Sequence, residues 1–210
     1  MAEMNLVAGL IGAGAVIVLA GAVHTRLFDR LDRRVFQFVR GLIPSSQSKA
    51  GKKRDTMMRD ITAIGGDVFS SLVLISGAAY LWSTSDIKTL TAFVALMAGA
   101  RVVGLALKKL ISRARPPASD QTLEIFTSSF PSIHTAMGFV SSFAIAAFMV
   151  GGTGQLGTAL AVGAGVSAMI GVTRLYFGVH WPLDVLAGWL LGLSACSLAM
   201  YWLPTYGLIV

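Results

Sequence analysis

Six apolar runs, each near the length of a membrane span, divide this chain at about 5–23, 61–82, 89–112, 133–152, 154–174 and 183–203. A helix of about 20 apolar residues crosses the roughly 30 Å hydrocarbon layer of a bilayer, so the pattern predicts six spanning helices and an all-α, polytopic membrane fold. Composition agrees: 55% of the 210 residues are hydrophobic and 13% charged, with a mean hydropathy of +0.72, which excludes a soluble domain of this length. In the first run, Ala20-Gly21-Ala22 has the small residues of a signal cleavage site. Residues 1–4 hold Glu3 and no Lys or Arg, however, and the apolar core exceeds a signal's usual length, so the run is read as a span. Cys196 is the only cysteine, so no intrachain disulfide can form.

The net charge of +7 is concentrated. Ten of the seventeen Lys and Arg residues lie between His24 and Asp60. Within that stretch Leu27, Leu31, Val35, Phe38, Val39 and Leu42 recur at helical spacing, with Arg30, Arg33, Arg34 and Arg40 mostly on other faces. This predicts an interfacial amphipathic helix between the first two spans, the alternative being a solvated basic loop. Nucleic acid is excluded as a partner for so lipophilic a chain. The Ser- and Lys-rich stretch from Pro44 to Gly51 reads as a flexible connector. No internal repeat is visible, and the short connections predict a single domain over 1–210, a compact helical bundle.

Six spans place alternate connections on opposite faces, so the 24–60, 113–131 and 175–182 connections share one face. Three polar segments meet there. In the third span Arg101, Lys108 and Arg115 are seven apart, which aligns them on one face if the helix runs that far, and Pro116-Pro117 then ends it. Taken alone, Lys108, Lys109, Arg113 and Arg115 read equally as interfacial anchors. Pro131-Ser132-Ile133-His134 opens the fourth span, with Ser132 a natural N-cap and free N–H groups behind it, a place that attracts anions. His180 and Asp184 lie four apart around Pro182, so the carboxylate can fix the imidazole tautomer, while Arg174 ends the preceding span. Cations, helix N–H groups, a nucleophile and a proton donor together suit a phosphate ester at a membrane surface. Arg101, near the middle of its span, calls for a partner inside the bundle, and Asp67 is the candidate.

These segments resemble the three signature motifs of the type 2 phosphatidic acid phosphatase family. Lys108 to Pro116 matches a lysine, six residues, then Arg-Pro; Ser132 and His134 match Pro-Ser-Gly-His; Arg174, His180 and Asp184 match the third motif with its usual spacings. The chain departs from the family at Thr173, where Ser is usual, and at Ile133, where Gly is usual. The resemblance implies that His180 attacks phosphorus, Asp184 orients it, and His134 protonates the leaving group and then activates water. It also implies that Lys108, Arg115, Ser132, the Ile133 N–H and Arg174 hold the phosphoryl oxygens without metal or other cofactor. Asp120 and Glu124 read as rim or topology residues.

The function so implied is an integral-membrane phosphatase acting on a lipid phosphate monoester or diphosphate: phosphatidic acid, phosphatidylglycerol phosphate, a polyprenyl phosphate or diphosphate, or a phosphorylated glycolipid. Two alternatives stay open, a lipid phosphotransferase and a non-catalytic phospholipid-binding or transport descendant made conceivable by Ile133. The expected location is the cytoplasmic (inner) membrane. The basic 24–60 loop favours a cytoplasmic site by the positive-inside rule, but it equally serves capture of an anionic substrate, so both orientations stay open. Gly163, Gly165 and Gly171 fit either a dimer seam or packing within one bundle.

Overall fold

The computed structural model describes residues 2–43, 49–85, 87–117, 127–150 and 156–205. Those residues form eight α-helices and one π-helical turn: α1 Ala2–His24, α2 Asp29–Gly41, α3 Lys49–Ala63, α4 Asp67–Thr84, α5 Ile87–Ile111, α6 Ile133–Ile145 with its π continuation Ala146–Val150, α7 Leu156–Tyr176 and α8 Pro182–Thr205. Five helical stretches have the length and apolarity to cross a membrane, one of them the joined α3 and α4 (Lys49–Thr84); a sixth apolar helix, Ile133–Phe148, is shorter.

The short helix is the central one. Ten of the 13 residues of α6 are buried, enclosed by α4, α5, α7 and α8. A helix sheathed in protein need not match the bilayer's thickness, because its ends meet other helices rather than lipid. Phe139, Val140 and Phe143 of α6 join Phe93 and Met97 of α5 and Cys196 of α8 in the main core. Small residues set the helix spacings. A Cβ on Gly163 would stand 2.9 Å from the Phe139 carbonyl oxygen, and one on Gly171 2.7 Å from Val185 Cγ1. Both glycines therefore serve packing within the bundle, while Gly165 faces open space. On the outside, Val7, Leu10, Ile17, Leu72, Ile75 and Val102 are exposed, as lipid-facing positions require.

The basic 24–60 stretch holds α2 and most of α3. Along α2 and its flanks Leu27, Leu31, Val35, Phe38 and Leu42 are exposed, the apolar stripe of a helix lying on a bilayer surface. Its opposite face is docked: Asp32 and Phe36 are buried, and the Phe36 ring packs 5.2 Å from that of Trp181. The expected flexible connector is corrected at its end, because Lys49 to Gly51 begin α3; Pro44 to Ser48 lie outside the described residues. Helix α3 is held against α7 by Tyr176, whose hydroxyl donates to Asp55 and accepts from Arg54 Nε at 2.9 Å, and Arg40 donates to the Tyr176 carbonyl. The second span thus starts as polar α3, turns at Ile64–Gly66 and continues as apolar α4. At that turn only glycine fits: a Cβ on Gly65 would lie 2.2 Å from the His134 carbonyl oxygen.

Candidate active site

The C-terminal turn of α7 builds one wall. Gly178 takes φ 66°, the left-handed conformation natural to glycine, and returns the chain so that the Val179 N–H reaches the Arg174 carbonyl at 3.2 Å. Pro182 then opens α8 as its first residue. Asp184 folds back on this start, its Oδ2 accepting the Trp181 N–H at 2.8 Å. His180 Nδ1 stands 3.6 Å from the same Oδ2, beyond hydrogen-bond distance. Both side chains are buried. Burial brings the His180 pKa down to about 4 against the opposing pull of Asp184, so the imidazole is neutral near pH 7 and keeps a nitrogen lone pair.

The start of α6 forms the facing wall. Ser132 occupies the N-cap position, but its hydroxyl shares a 2.7 Å hydrogen bond with that of Thr135 instead of capping a backbone N–H. Its own N–H donates to the Asp184 carbonyl at 3.0 Å, joining the two walls. Ile133 is the first residue of α6 and is not among the described residues with positive φ. Its side chain points into the core: Cδ1 lies where a Cβ on Gly104 would be, only 2.4 Å from that position. The bulk that could have narrowed the site fills a gap left by a glycine on α5. His134 follows, with Gly66 beside its Nε2.

Three cations complete the cluster. Lys108 Nζ donates to the Ser128 carbonyl at 2.5 Å, and Arg115 donates to the carbonyls of Val179 (Nη1, 2.7 Å) and Thr127 (Nε, 3.1 Å). Helix α5 does not run as far as Arg115: it stops at Ile111, Ser112 takes φ 20°, and a non-helical segment carries Arg115 inward. Burial pulls the Arg115 pKa down, with Asp184 opposing. Arg174 is buried, with Nη1 donating to Thr62 Oγ1 of α3 at 3.1 Å. Among the described residues its Nε has no hydrogen-bond partner, and neither does His180 Nδ1. Thr173 spends its hydroxyl on the Ile170 carbonyl at 2.6 Å. Lys108, His134, Arg174 and His180 all lie within electrostatic reach of one another's neighbours in this cluster.

Arg101 pairs with Asp67 at 2.9 Å, as expected. The expected interior location is corrected: Asp67 is the first residue of α4, and the side chains are 32% and 66% exposed. Asp120 and Glu124 lie outside the described residues.

Sequence reasoning missed Arg113 and Asp32. Arg113 Nη1 meets Asp184 Oδ1 at 2.7 Å and Nη2 meets Asp32 Oδ2 at 2.5 Å, with the guanidinium 5.5 Å above the Trp181 ring. Although burial works against its charge, Asp184 and Asp32 raise the Arg113 pKa. The only signal was an acid at position 32 on the face of α2 away from its apolar stripe, four residues before Phe36. A cavity of about 660 Å³ opens beyond Arg113, Arg115 and Trp181, lined also by His24, Arg26 and Arg33; neither His134 nor His180 lines it.

Residues 89–207 match the PAP2 superfamily. The chain is 30% identical over 189 residues to phosphatidylglycerophosphatase B of Bacillus subtilis (strain 168), covering 84% of this chain and 85% of that protein. It is 28% identical over 138 residues to YbjG, a candidate undecaprenyl-diphosphatase of Escherichia coli (strain K12), covering 63% and 67%. The fold matches the crystal structure of the PAP2 type phosphatidylglycerolphosphate phosphatase from Bacillus subtilis with a TM-score of 0.77 and 19% identity, over 94% of this chain and 96% of that one.

Proposed function

The chain belongs to the PAP2 superfamily, and from that membership we propose an integral-membrane phosphatase that cleaves a lipid phosphate monoester or diphosphate through a phosphohistidine. The observation that carries the reading is the pairing of a buried, neutral His180 with a buried Arg174 whose Nε is unpartnered among the described residues. An unsatisfied buried guanidinium N–H is costly unless an anion completes it, and a phosphoryl oxygen is such an anion.

In the first step His180 Nε2 forms the N–P bond as the P–O bond to the lipid breaks, and His134 gives a proton to the departing oxygen. Asp184 balances the positive charge that develops on the ring, 3.6 Å from Nδ1. In the second step water attacks phosphorus, His134 takes its proton, and the N–P bond breaks to release inorganic phosphate. Lys108, Arg115, Arg174, Ser132 and the Ile133 N–H hold the phosphoryl oxygens, most strongly as charge grows in the transition state. The cations take the role that Mg²⁺ has in other phosphoryl transfers, so no metal is needed. The ordinary backbone and inward-packed side chain of Ile133 leave its N–H available, which favours catalysis over a binding-only descendant.

Acyl or prenyl tails stay in the bilayer while the headgroup reaches the basic face from the side. The relatives bring two substrate classes forward, phosphatidylglycerol phosphate and a polyprenyl diphosphate. The protein sits in the cell membrane as a multi-pass chain. The test is phosphate release by purified protein in detergent with EDTA, across lipid mono- and diphosphates, beside His180→Ala. We expect release that survives EDTA and vanishes in the variant; release abolished by EDTA, or kept by the variant, overturns the mechanism.

A further inference from the structure

We propose that Asp32, on the surface helix α2, is a positioning residue for the catalytic pair, acting on Asp184 through a shared Arg113. The inference rests on His180 and Asp184 working as described above. Asp32 lies outside the stretch that matches the superfamily, residues 89–207, and no motif includes it.

The geometry is that of a bridge. One guanidinium spans two carboxylates, Nη1 on Asp184 Oδ1 at 2.7 Å and Nη2 on Asp32 Oδ2 at 2.5 Å. The two side chains are 0% and 1% exposed, so water cannot screen the charges. Asp29 Oδ1 stands farther off, 3.8 Å from Nη2. The second oxygen of Asp32 accepts the Leu183 N–H at 2.9 Å, in the first turn of α8, one residue before Asp184. Asp32 therefore holds the catalytic carboxylate twice, once through Arg113 and once through the backbone that carries it. Because Arg113 is shared, it cannot fully neutralise Asp184, and Asp184 keeps the negative charge that a phosphorylated, positively charged His180 requires. Remove the charge of Asp32 and Arg113 turns wholly to Asp184, weakening that support in the transition state more than in the ground state. Phosphate binding, which falls to Lys108, Arg115 and Arg174, is left alone.

The residue acts on kcat rather than KM. Asp32→Asn keeps the size and an acceptor for Leu183 while removing the charge, and we expect kcat per folded molecule to fall about tenfold or more with KM within about twofold. In an Arg113→Gln background the same substitution should cost almost nothing further, since its route is gone. If Asp32→Asn does not fold, Arg113→Lys keeps a cation that cannot span both carboxylates, and the same fall in kcat is expected of it. An unchanged kcat, a rise in KM alone, or a full additive loss in the Arg113→Gln background overturns the proposal. His180→Ala run alongside separates the two readings: an active His180→Ala defeats the catalytic assignment, while an inactive one beside a normal Asp32→Asn defeats only the role of Asp32.

Discussion

At the scale of single residues, the proposed chemistry depends on an imidazole kept neutral by burial. His180 carries a pKa near 4 in the fold, where a solvated histidine has about 6.5. Its lone pair therefore persists well into acid, and the acid limb of kcat/KM that belongs to His180 should lie near pH 4; a limb near 6.5 would mean a solvated ring. Stability moves the other way. Between those values the unfolded chain binds a proton that the native ring does not, so this residue makes the protein less stable as pH falls from 6.5 toward 4, and has no such effect above 6.5. Thermal unfolding of wild type and His180→Gln across that range checks the sign, the variant being expected to lose less. Ile133 departs from the family pattern without leaving the ordinary backbone region. It keeps the N–H of the usual glycine and directs its side chain into space that Gly104 leaves open.

Elements matter through the contacts that fix their ends. The turn joining α3 to α4 lies directly on the start of α6, where a Cβ on Gly65 would meet the His134 carbonyl at 2.2 Å. Backbone cannot yield as a side-chain tip can, so Gly65→Ala should push the turn and α6 apart and misplace His134. A displacement near 1 Å in such a site costs about 10²-fold in rate, and we expect a loss of that order in kcat/KM with the fold retained. Gly14→Ala, where nothing lies within 4 Å, is the comparison and should leave activity unchanged. Helix α2 was legible as amphipathic because its stripe of Leu, Val and Phe has helical period. Its docked side was not, because Asp32 reads as one more charge in a charged segment until the fold sets it against Arg113, 81 residues away.

For the whole molecule, the controlling fact is that one helix is enclosed and the others face lipid. α6 brings Ile133 and His134, with Ser132 at its cap, to the centre of the bundle, and α7, α8 and the turn between them supply Arg174, Asp184 and His180 around it. The enclosing helices keep apolar residues outward, so a charge on that surface should fail at insertion rather than at catalysis. Ile75, midway along α4 and 67% exposed, is such a position. Ile75→Arg should cost about 3 kcal/mol of insertion free energy, read as a lower membrane-inserted yield with normal specific activity in the fraction that inserts; an unaffected yield would argue that this face is not in lipid.

The membrane setting, the number of apolar helices and the three polar segments on one face were all legible in the order of residues. Each follows from local properties: run length, spacing along one helix, and the alternation of connections. Only the tertiary structure decided that Arg115 leaves its helix to reach the site, that Ile133 faces the core, that the basic stretch contains a second helix bound to α7, and that Arg113 joins Asp32 to Asp184. These depend on how each helix is rotated and where it docks. Burial then turns contacts between residues distant in the chain into strong interactions, and such contacts leave no period or spacing in the sequence to find.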